Sequence, residues 1–418
     1  MVCFAHVKGI GSHRRPGGID ARLVMLLAGA FAVGTDGFMI VGLLPAISSD
    51  LRISVSSAAQ LITVFALTYA LLAPAVSILA VRVDRAMLLC AALAGLSATN
   101  VLAALAPSFA LLLAARVGAA TCAAAYTPTA ALVAADLAGP AWRGRALSLI
   151  SGGLTLAIAT GVPLGNLIGN AFGWRTTFLG VGILAAILAA VVRVALPVLG
   201  CSPLISLRER MKIVARPGVA RALLITMLGI LAGYLGYSYV APITLAIAGS
   251  HTGAVSVMLV LYGLGAITGN LLCGHATDRL GAAPTLSLGV GTLVAALLLL
   301  ALLCSVHFYG ARVLAGGALF VLGVGCWTIS PPQQHRLLAL APDAGAIAVS
   351  LNSSAIYVGL GLSGLIGGLV LDRFGAGAIC LAGAAIAVVV LLILPTTPSQ
   401  PSQQHPTPSQ HAIQTMRS

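Results

Sequence analysis

The chain has 418 residues, 59% of them hydrophobic and only 7% charged, with a mean hydropathy of +1.07. Soluble domains carry about 25% charged residues, and nine acidic side chains cannot keep a surface of this size in water. Composition therefore excludes a soluble globule and makes membrane lipid the solvent. Within lipid, unpaired backbone groups restrict the chain to helices or a closed barrel. Barrel strands alternate apolar and polar over about 10 residues, whereas the apolar runs here last about 20 or more, as helices require. The pattern predicts twelve spans at 23–47, 58–81, 87–106, 108–135, 146–172, 175–197, 219–248, 254–276, 284–304, 308–332, 344–371 and 375–395. Turn-rich pieces such as Ser48-Ser49-Asp50 and Ala341-Pro342-Asp343 separate them.

The longest connection, 198–218, sits midway and carries Arg208, Glu209, Arg210, Lys212 and Arg216. It divides a bundle at 23–197 from a second at 219–395, flanked by cytoplasmic tails at 1–22 and 396–418. The first tail has charge but no apolar core of its own, unlike a cleaved signal peptide. The second is rich in Pro, Gln, Ser and Thr and is expected to be disordered. With the N-terminus inside, 16 of the 22 Lys and Arg residues fall on the cytoplasmic side, so both termini are expected there. The same rule accounts for the net charge of +13, and no nucleic-acid partner is expected. The eight cysteines are scattered, with no CxxC pair, and read as small apolar residues rather than metal ligands or disulfides.

The halves echo each other. Val83-Asp84-Arg85 follows the second span and Thr277-Asp278-Arg279 the eighth; Ala115-Arg116-Val117 opens the fourth and Ala311-Arg312-Val313 the tenth. The two arginine pairs are 194 and 196 residues apart. The expected fold is all-α membrane, with twelve transmembrane helices in two pseudo-symmetric six-helix bundles. Such repeats are a transporter architecture, with the site between the halves near the midplane.

Asp36 stands out. It lies roughly 16 Å from the outer end of the first span, and Arg116 lies roughly 12 Å from the outer end of the fourth. Their depths differ by less than a turn, so the two charges can meet and offset part of each desolvation cost. A buried carboxylate whose partner moves can change its proton affinity, as a proton carrier must; a static structural tie is the alternative. Gly161, Pro163, Gly165 and Gly169 place small residues and a bend on the fifth span, suiting close helix approach. Phe65, Tyr69, Tyr126, Tyr234, Tyr237, Tyr262, Trp327, Asn352 and Tyr357 are amphipathic residues inside spans. They are candidates for a cavity holding an apolar or amphipathic small molecule, or for ordinary packing. No Walker A, HExxH or GxSxG sequence is present, so neither ATP nor an enzyme site is visible.

Taken in order, several pieces resemble the major facilitator superfamily, and within it the twelve-span drug:proton antiporters of the bacterial chloramphenicol and arabinose-efflux type. They are Gly34-Thr35-Asp36, Gly42-Leu43-Leu44-Pro45, Asp84-Arg85, Arg116 with Gly118, and Arg143-Gly144-Arg145. Gly161-Val162-Pro163-Leu164-Gly165, Gly173-Trp174-Arg175 and Gly274 to Gly281 complete the set. The resemblance covers about residues 20–395. It departs at Ala80, where a glycine is usual, at Met87 and Leu88 in a usually basic cluster, and at Asn166, where a second glycine is frequent.

The resemblance implies proton coupling through Arg116 and Asp36, and gating loops at Asp84, Arg85, Gly274, Asp278, Arg279 and Gly281. It also implies an exporter motif at Gly161, Pro163, Gly165 and Gly169. The expected protein is a monomer of the bacterial inner membrane that exports a small hydrophobic or amphipathic compound, such as chloramphenicol. It would use protons, the proton gradient being its energy source, and no cofactor. A sugar or metabolite exporter, a facilitator and a transport-dead sensor are the alternatives.

Overall fold

The structure, a computed structural model, describes residues 20–79, 83–139, 142–197, 199, 207–249, 253–306 and 310–394. The tails, except 20–22, lie outside the described residues. Those described form helices and short connections with no strand. The first half contains α1 (Ala21–Phe38), α2 (Ile40–Leu51), α3 (Val55–Leu79), α4 (Arg85–Ala104), α5 (Phe109–Ala138), α6 (Arg143–Leu156), a π-helical turn (Ala157–Gly161), α7 (Val162–Phe172) and α8 (Trp174–Ala195). The linker contains a short helix not expected from the sequence, α9 (Leu207–Val214). Its Ile213 is buried against Val219 and Leu337, and that apolar contact is what fixes it. The second half contains α10 (Val219–Ser238), α11 (Val240–Ala248), α12 (Ala254–Leu280), α13 (Ala282–Ser305), α14 (Ala311–Trp327), α15 (Ser330–Leu340) and α16 (Gly345–Ile393).

Among the described residues, eleven helical stretches are long and apolar enough to cross a membrane. The last runs for 47 residues, about twice what a bilayer needs, and breaks at Gly375, whose φ of 80° is the left-handed region open to glycine. Splitting it there gives twelve spans, the eleventh ending and the twelfth beginning at that glycine.

Four expected spans are not single straight helices, and proline explains each break. A proline lacks an N–H and crowds the carbonyl four residues earlier. Pro45 acts on Val41, next to the α1–α2 break at Met39; Pro242 acts on Ser238, next to the α10–α11 break at Tyr239. Pro332 acts on Thr328, between α14 and α15, and Pro163 acts on Ala159 inside the π-turn. Pro45 and Pro242 are 197 residues apart, so the first span of each half bends at the same place.

The apolar cores show how the halves sit. One core joins residues of both halves, among them Met39, Ile62, Phe178, Tyr237, Leu259 and Leu360. Its first-half members come from 39–66, 103–115 and 158–181, whereas its second-half members run from Ile225 to Leu394; two separate clusters lie beside it. One lies in the first half, around Leu26, Leu93, Ala123 and Val192; a smaller one lies in the second, around Val219, Leu337 and Ala348. The first half therefore joins the second mainly through residues 39–66, 103–115 and 158–181, while its remaining core packs largely within that half, with Tyr357 of the second half against it. Two seams do the knitting. Along α3 and α16, Gly361, Gly364 and Gly368 lie against Leu67, Thr63 and Ser56. Along the fifth span and α12, Gly263 lies against the backbone of Ala159.

Candidate functional site

Asp36 lies on α1 near its end, and Arg116 two turns into α5, whose start Ser108 caps by accepting from the Leu111 N–H. Both are buried, at 0% and 1% exposure. A single guanidinium nitrogen, Nη1, donates to both carboxylate oxygens at 3.0 Å. The guanidinium carbon lies 4.3 Å from the centre of the Phe65 ring, a cation–π contact strengthened by the absence of water. Gly37 leaves room for that ring: a Cβ there would touch it at 3.4 Å. The other two guanidinium nitrogens, Nε and Nη2, are buried without a partner among the described residues. A buried unsatisfied donor costs about 1–3 kcal/mol. The pair thus brings the two charges together while leaving two of the guanidinium's nitrogens unbonded.

The two loop motifs behave differently. Asp84 caps α4, accepting from the N–H groups of Ala86 and Met87 and, at 2.6 Å, from that of Leu199. Arg85 pairs with Asp136 at 2.6 Å and donates to the Leu199 carbonyl at 2.9 Å. Three helix ends of the first half are tied here, and Asp136 proves to be a member of the tie, which the sequence gave no reason to expect. In the second half Asp278 and Arg279 are exposed. Gly281 has φ 87°, closing α12 and opening α13, and a Cβ on Gly274 would meet nothing within 4 Å.

The glycine stripe of the fifth span faces the first span. Gly161 lies against Thr35, Gly165 has Met39 at 3.5 Å from a would-be Cβ, and Gly169 lies against Leu43. The spacing of four on both helices makes this one continuous seam inside the first half, and Pro163 begins the α7 portion of it. Asn166 lies beside Gly42 of the first span and reaches past it to the second half. It is 1% exposed, and its Nδ2 donates to Ser256 Oγ of the second half at 2.7 Å. A second bond between halves runs from Ser56 Oγ to Asp372 Oδ2 at 2.6 Å. Neither was legible from the sequence.

The aromatic candidates separate into groups. Tyr69 and Tyr357 stack across the halves at 3.6 Å, and Phe38 meets Tyr234 at 6.1 Å. Tyr237 stacks on Tyr262 at 4.1 Å and meets Tyr234 edge-on. The hydroxyl of Tyr237, the indole N–H of Trp327 and Nδ2 of Asn352 are buried with no hydrogen-bond partner among the described residues, while the Tyr262 hydroxyl meets the Cys326 thiol. Tyr126 does not join this wall: its hydroxyl donates to the Leu26 carbonyl at 3.0 Å, and Gly29 makes the space for it. Asn352 belongs to a polar chain in which Arg336 donates to Gln333, Gln333 to Thr226, and Thr226 to Asn352. No group of three or more metal-ligating side chains occurs among the described residues.

Comparison with known proteins agrees with this architecture. The family model of the Major Facilitator Superfamily matches residues 26–345 and 226–415. The chain is 30% identical over 385 residues to the uncharacterized MFS-type transporter YbcL of Bacillus subtilis (strain 168), covering 91% of this chain and 97% of that one. Two crystal structures of a bacterial homologue of the human lysosomal transporter Spinster superpose on it. One is inward-facing and occupied, with a TM-score of 0.65 at 20% identity over 89% of this chain and 93% of that one. The other is inward-facing and unoccupied, with a TM-score of 0.60 at 20% identity over 90% and 95%. With twelve spans in two bundles and a sequence match along most of its length, this multi-pass membrane protein belongs to the Major Facilitator Superfamily of transporters.

Proposed function

We propose that the chain exports a small hydrophobic or amphipathic compound in exchange for protons, by alternating access. The observation that carries the coupling is the buried Asp36–Arg116 pair, in which one nitrogen holds the carboxylate while two others stay unsatisfied. Protonation of Asp36 removes the charge that holds Nη1 and frees the guanidinium to seek other acceptors. That change of partner beside Phe65, at the junction of α1, α3 and α5, is what the two states of the carrier differ by. The aromatic wall of Tyr69, Tyr234 and Tyr357 gives an apolar molecule flat surfaces between the halves. On this reading the termini are cytoplasmic and the membrane is a bacterial inner membrane.

The test uses the purified chain in proteoliposomes with an enclosed pH-sensitive dye, an imposed proton gradient, and a panel of chloramphenicol, dye cations and pentoses. The expected outcome is that an apolar or amphipathic compound discharges the gradient, and that Asp36→Asn and Arg116→Ala each abolish the discharge. Full discharge in Asp36→Asn would remove it as the carrier. A second reading, a facilitator without proton coupling, is favoured by Arg116 already engaging both oxygens of Asp36. It predicts that a compound equilibrates across the membrane with no movement of the dye signal.

A further inference from the structure

Two of the hydrogen bonds between the halves, those of Ser56 and Ser256, are related to one another. Ser56 lies in the first turn of α3, which forms the second span; Ser256 lies in the first turn of α12, which forms the eighth. They are 200 residues apart and occupy equivalent places in the two bundles. Each reaches the end of the fifth helix of the opposite bundle. Ser256 accepts from Asn166 on the fifth span at 2.7 Å, and Ser56 donates to Asp372 on the eleventh at 2.6 Å. Both serines and Asn166 are nearly inaccessible, at 7%, 5% and 1% exposure.

The surroundings are built for these contacts. A Cβ on Gly42 would lie about 3 Å from the Asn166 side chain, and one on Gly368 would lie 3.3 Å from that of Ser56. Ser54 Oγ also meets Ser56 Oγ at 2.7 Å. Asn166 stands at the very position where the resemblance expects a glycine, so the departure from the motif is the residue that crosses to the other bundle.

We propose that Asn166 with Ser256, and Ser56 with Asp372, are a pseudo-symmetric pair of polar clasps that set the population of the state closed at the face opposite the termini. They are positioning residues for the transport cycle. Besides these bonds, the α3–α16 seam holds glycines against Leu67 and Thr63 and the stacked Tyr69 and Tyr357, and the other seam holds Gly263 against Ala159; a hydrogen bond from the first turn of α3 or α12 adds a direction to each. The inference rests on the alternating-access reading but not on proton coupling or on any substrate.

The test is hydrogen–deuterium exchange on the full chain in lipid nanodiscs, with no substrate and no gradient. In Asn166→Ala and in Ser56→Ala, exchange is expected to rise about five-fold in the segments beginning both α3 and α12, since loss of one net hydrogen bond shifts a two-state opening by about that factor. The rise at the seam that was not mutated is the diagnostic. The exchanged pair Asn166→Ser with Ser256→Asn should restore the original rates, and Ser256→Thr, which keeps the hydroxyl, should match the unaltered protein. A rise confined to the mutated segment, or no rise in either variant, would overturn the proposal. So would an exchanged pair that exchanges as fast as Asn166→Ala. A variant that unfolds raises exchange throughout α13 as well, in which case the exchanged pair and Ser256→Thr decide the matter. Failure of the proton-flux experiment leaves this outcome unaffected, and the reverse holds equally.

Discussion

Removing the Arg116 guanidinium strands a carboxylate that has no access to water. Losing one partner of a buried ion pair costs about 3–5 kcal/mol, whereas replacing both with apolar groups of similar size is often neutral. Arg116→Ala is therefore expected to lower the thermal midpoint in detergent sharply, and Asp36→Asn with Arg116→Met to recover most of it. A double variant as unstable as the single one would show that packing on Phe65, rather than charge, is what Arg116 supplies. These two residues were legible in the sequence because a charge inside an apolar run is rare and costly, so its partner must lie at similar depth. Asn166 was not legible for the opposite reason. An uncharged amide in a helix can bond its own backbone, as Asn100 Nδ2 does the Leu96 carbonyl, and nothing in one chain says which neighbour it will find.

At the scale of the helix, glycine and proline separate structural duty from mobility. Gly274 sits in α12 with open space around its would-be Cβ. Gly274→Ala should stabilise the protein by up to about 1 kcal/mol, since alanine is the better helix former. If transport falls while the thermal midpoint rises, that glycine is needed for a close approach in the other state; unchanged transport would leave it without a gating role. Near the terminal face, the Arg216 guanidinium bonds Asp343 at 2.5 and 2.7 Å and holds its carboxyl down to about 2. A depressed folded-state value means that the contribution is complete above the ordinary carboxylate range of about 3.9 and is lost as the pH falls through about 2. The difference in thermal midpoint between the natural chain and Asp343→Asn is thus expected to be constant from pH 8 to 5 and to shrink below pH 4. A change between pH 8 and 5 would refute this assignment. The helices themselves were legible from apolar run length. Their breaks were legible only in part: Pro45, Pro242, Pro163 and Pro332 each end or distort a helix, while α5 runs through Pro128 unbroken. Whether a proline breaks a helix depends on what its neighbours offer the freed carbonyl.

Across the whole molecule, alternating access as proposed above would open and close the chain along the two seams between the halves. Gly263 lies against the backbone of Ala159 across the seam of the fifth span and α12. Gly263→Val places two methyl groups where there is no room, and overpacking costs about 1–3 kcal/mol. The closed arrangement should lose roughly ten-fold in population, a factor of ten being about 1.4 kcal/mol. The expected readout is transport reduced by a similar factor in protein that still elutes as a single folded species. Transport at the original rate would mean that the seam re-forms around the valine and that its tightness does not govern the cycle.

By itself the sequence determined that the chain lives in lipid, that it crosses it twelve times, that its halves repeat, and that Asp36 and Arg116 are close in depth. These follow from the cost of exposing polar groups to hydrocarbon, which acts on each segment separately and so leaves its mark in local composition. The tertiary structure alone decided that one guanidinium nitrogen serves both oxygens of Asp36. It also decided that the glycine stripe of the fifth span faces the first span, that Tyr126 is taken up by the Leu26 carbonyl, and that two serines 200 residues apart clasp opposite bundles. In a membrane the apolar force that would otherwise dictate which helix faces meet is largely absent, because lipid is as good a neighbour as leucine. Partners are then chosen by close fit and by single hydrogen bonds, and those are properties of two surfaces brought together rather than of either segment alone.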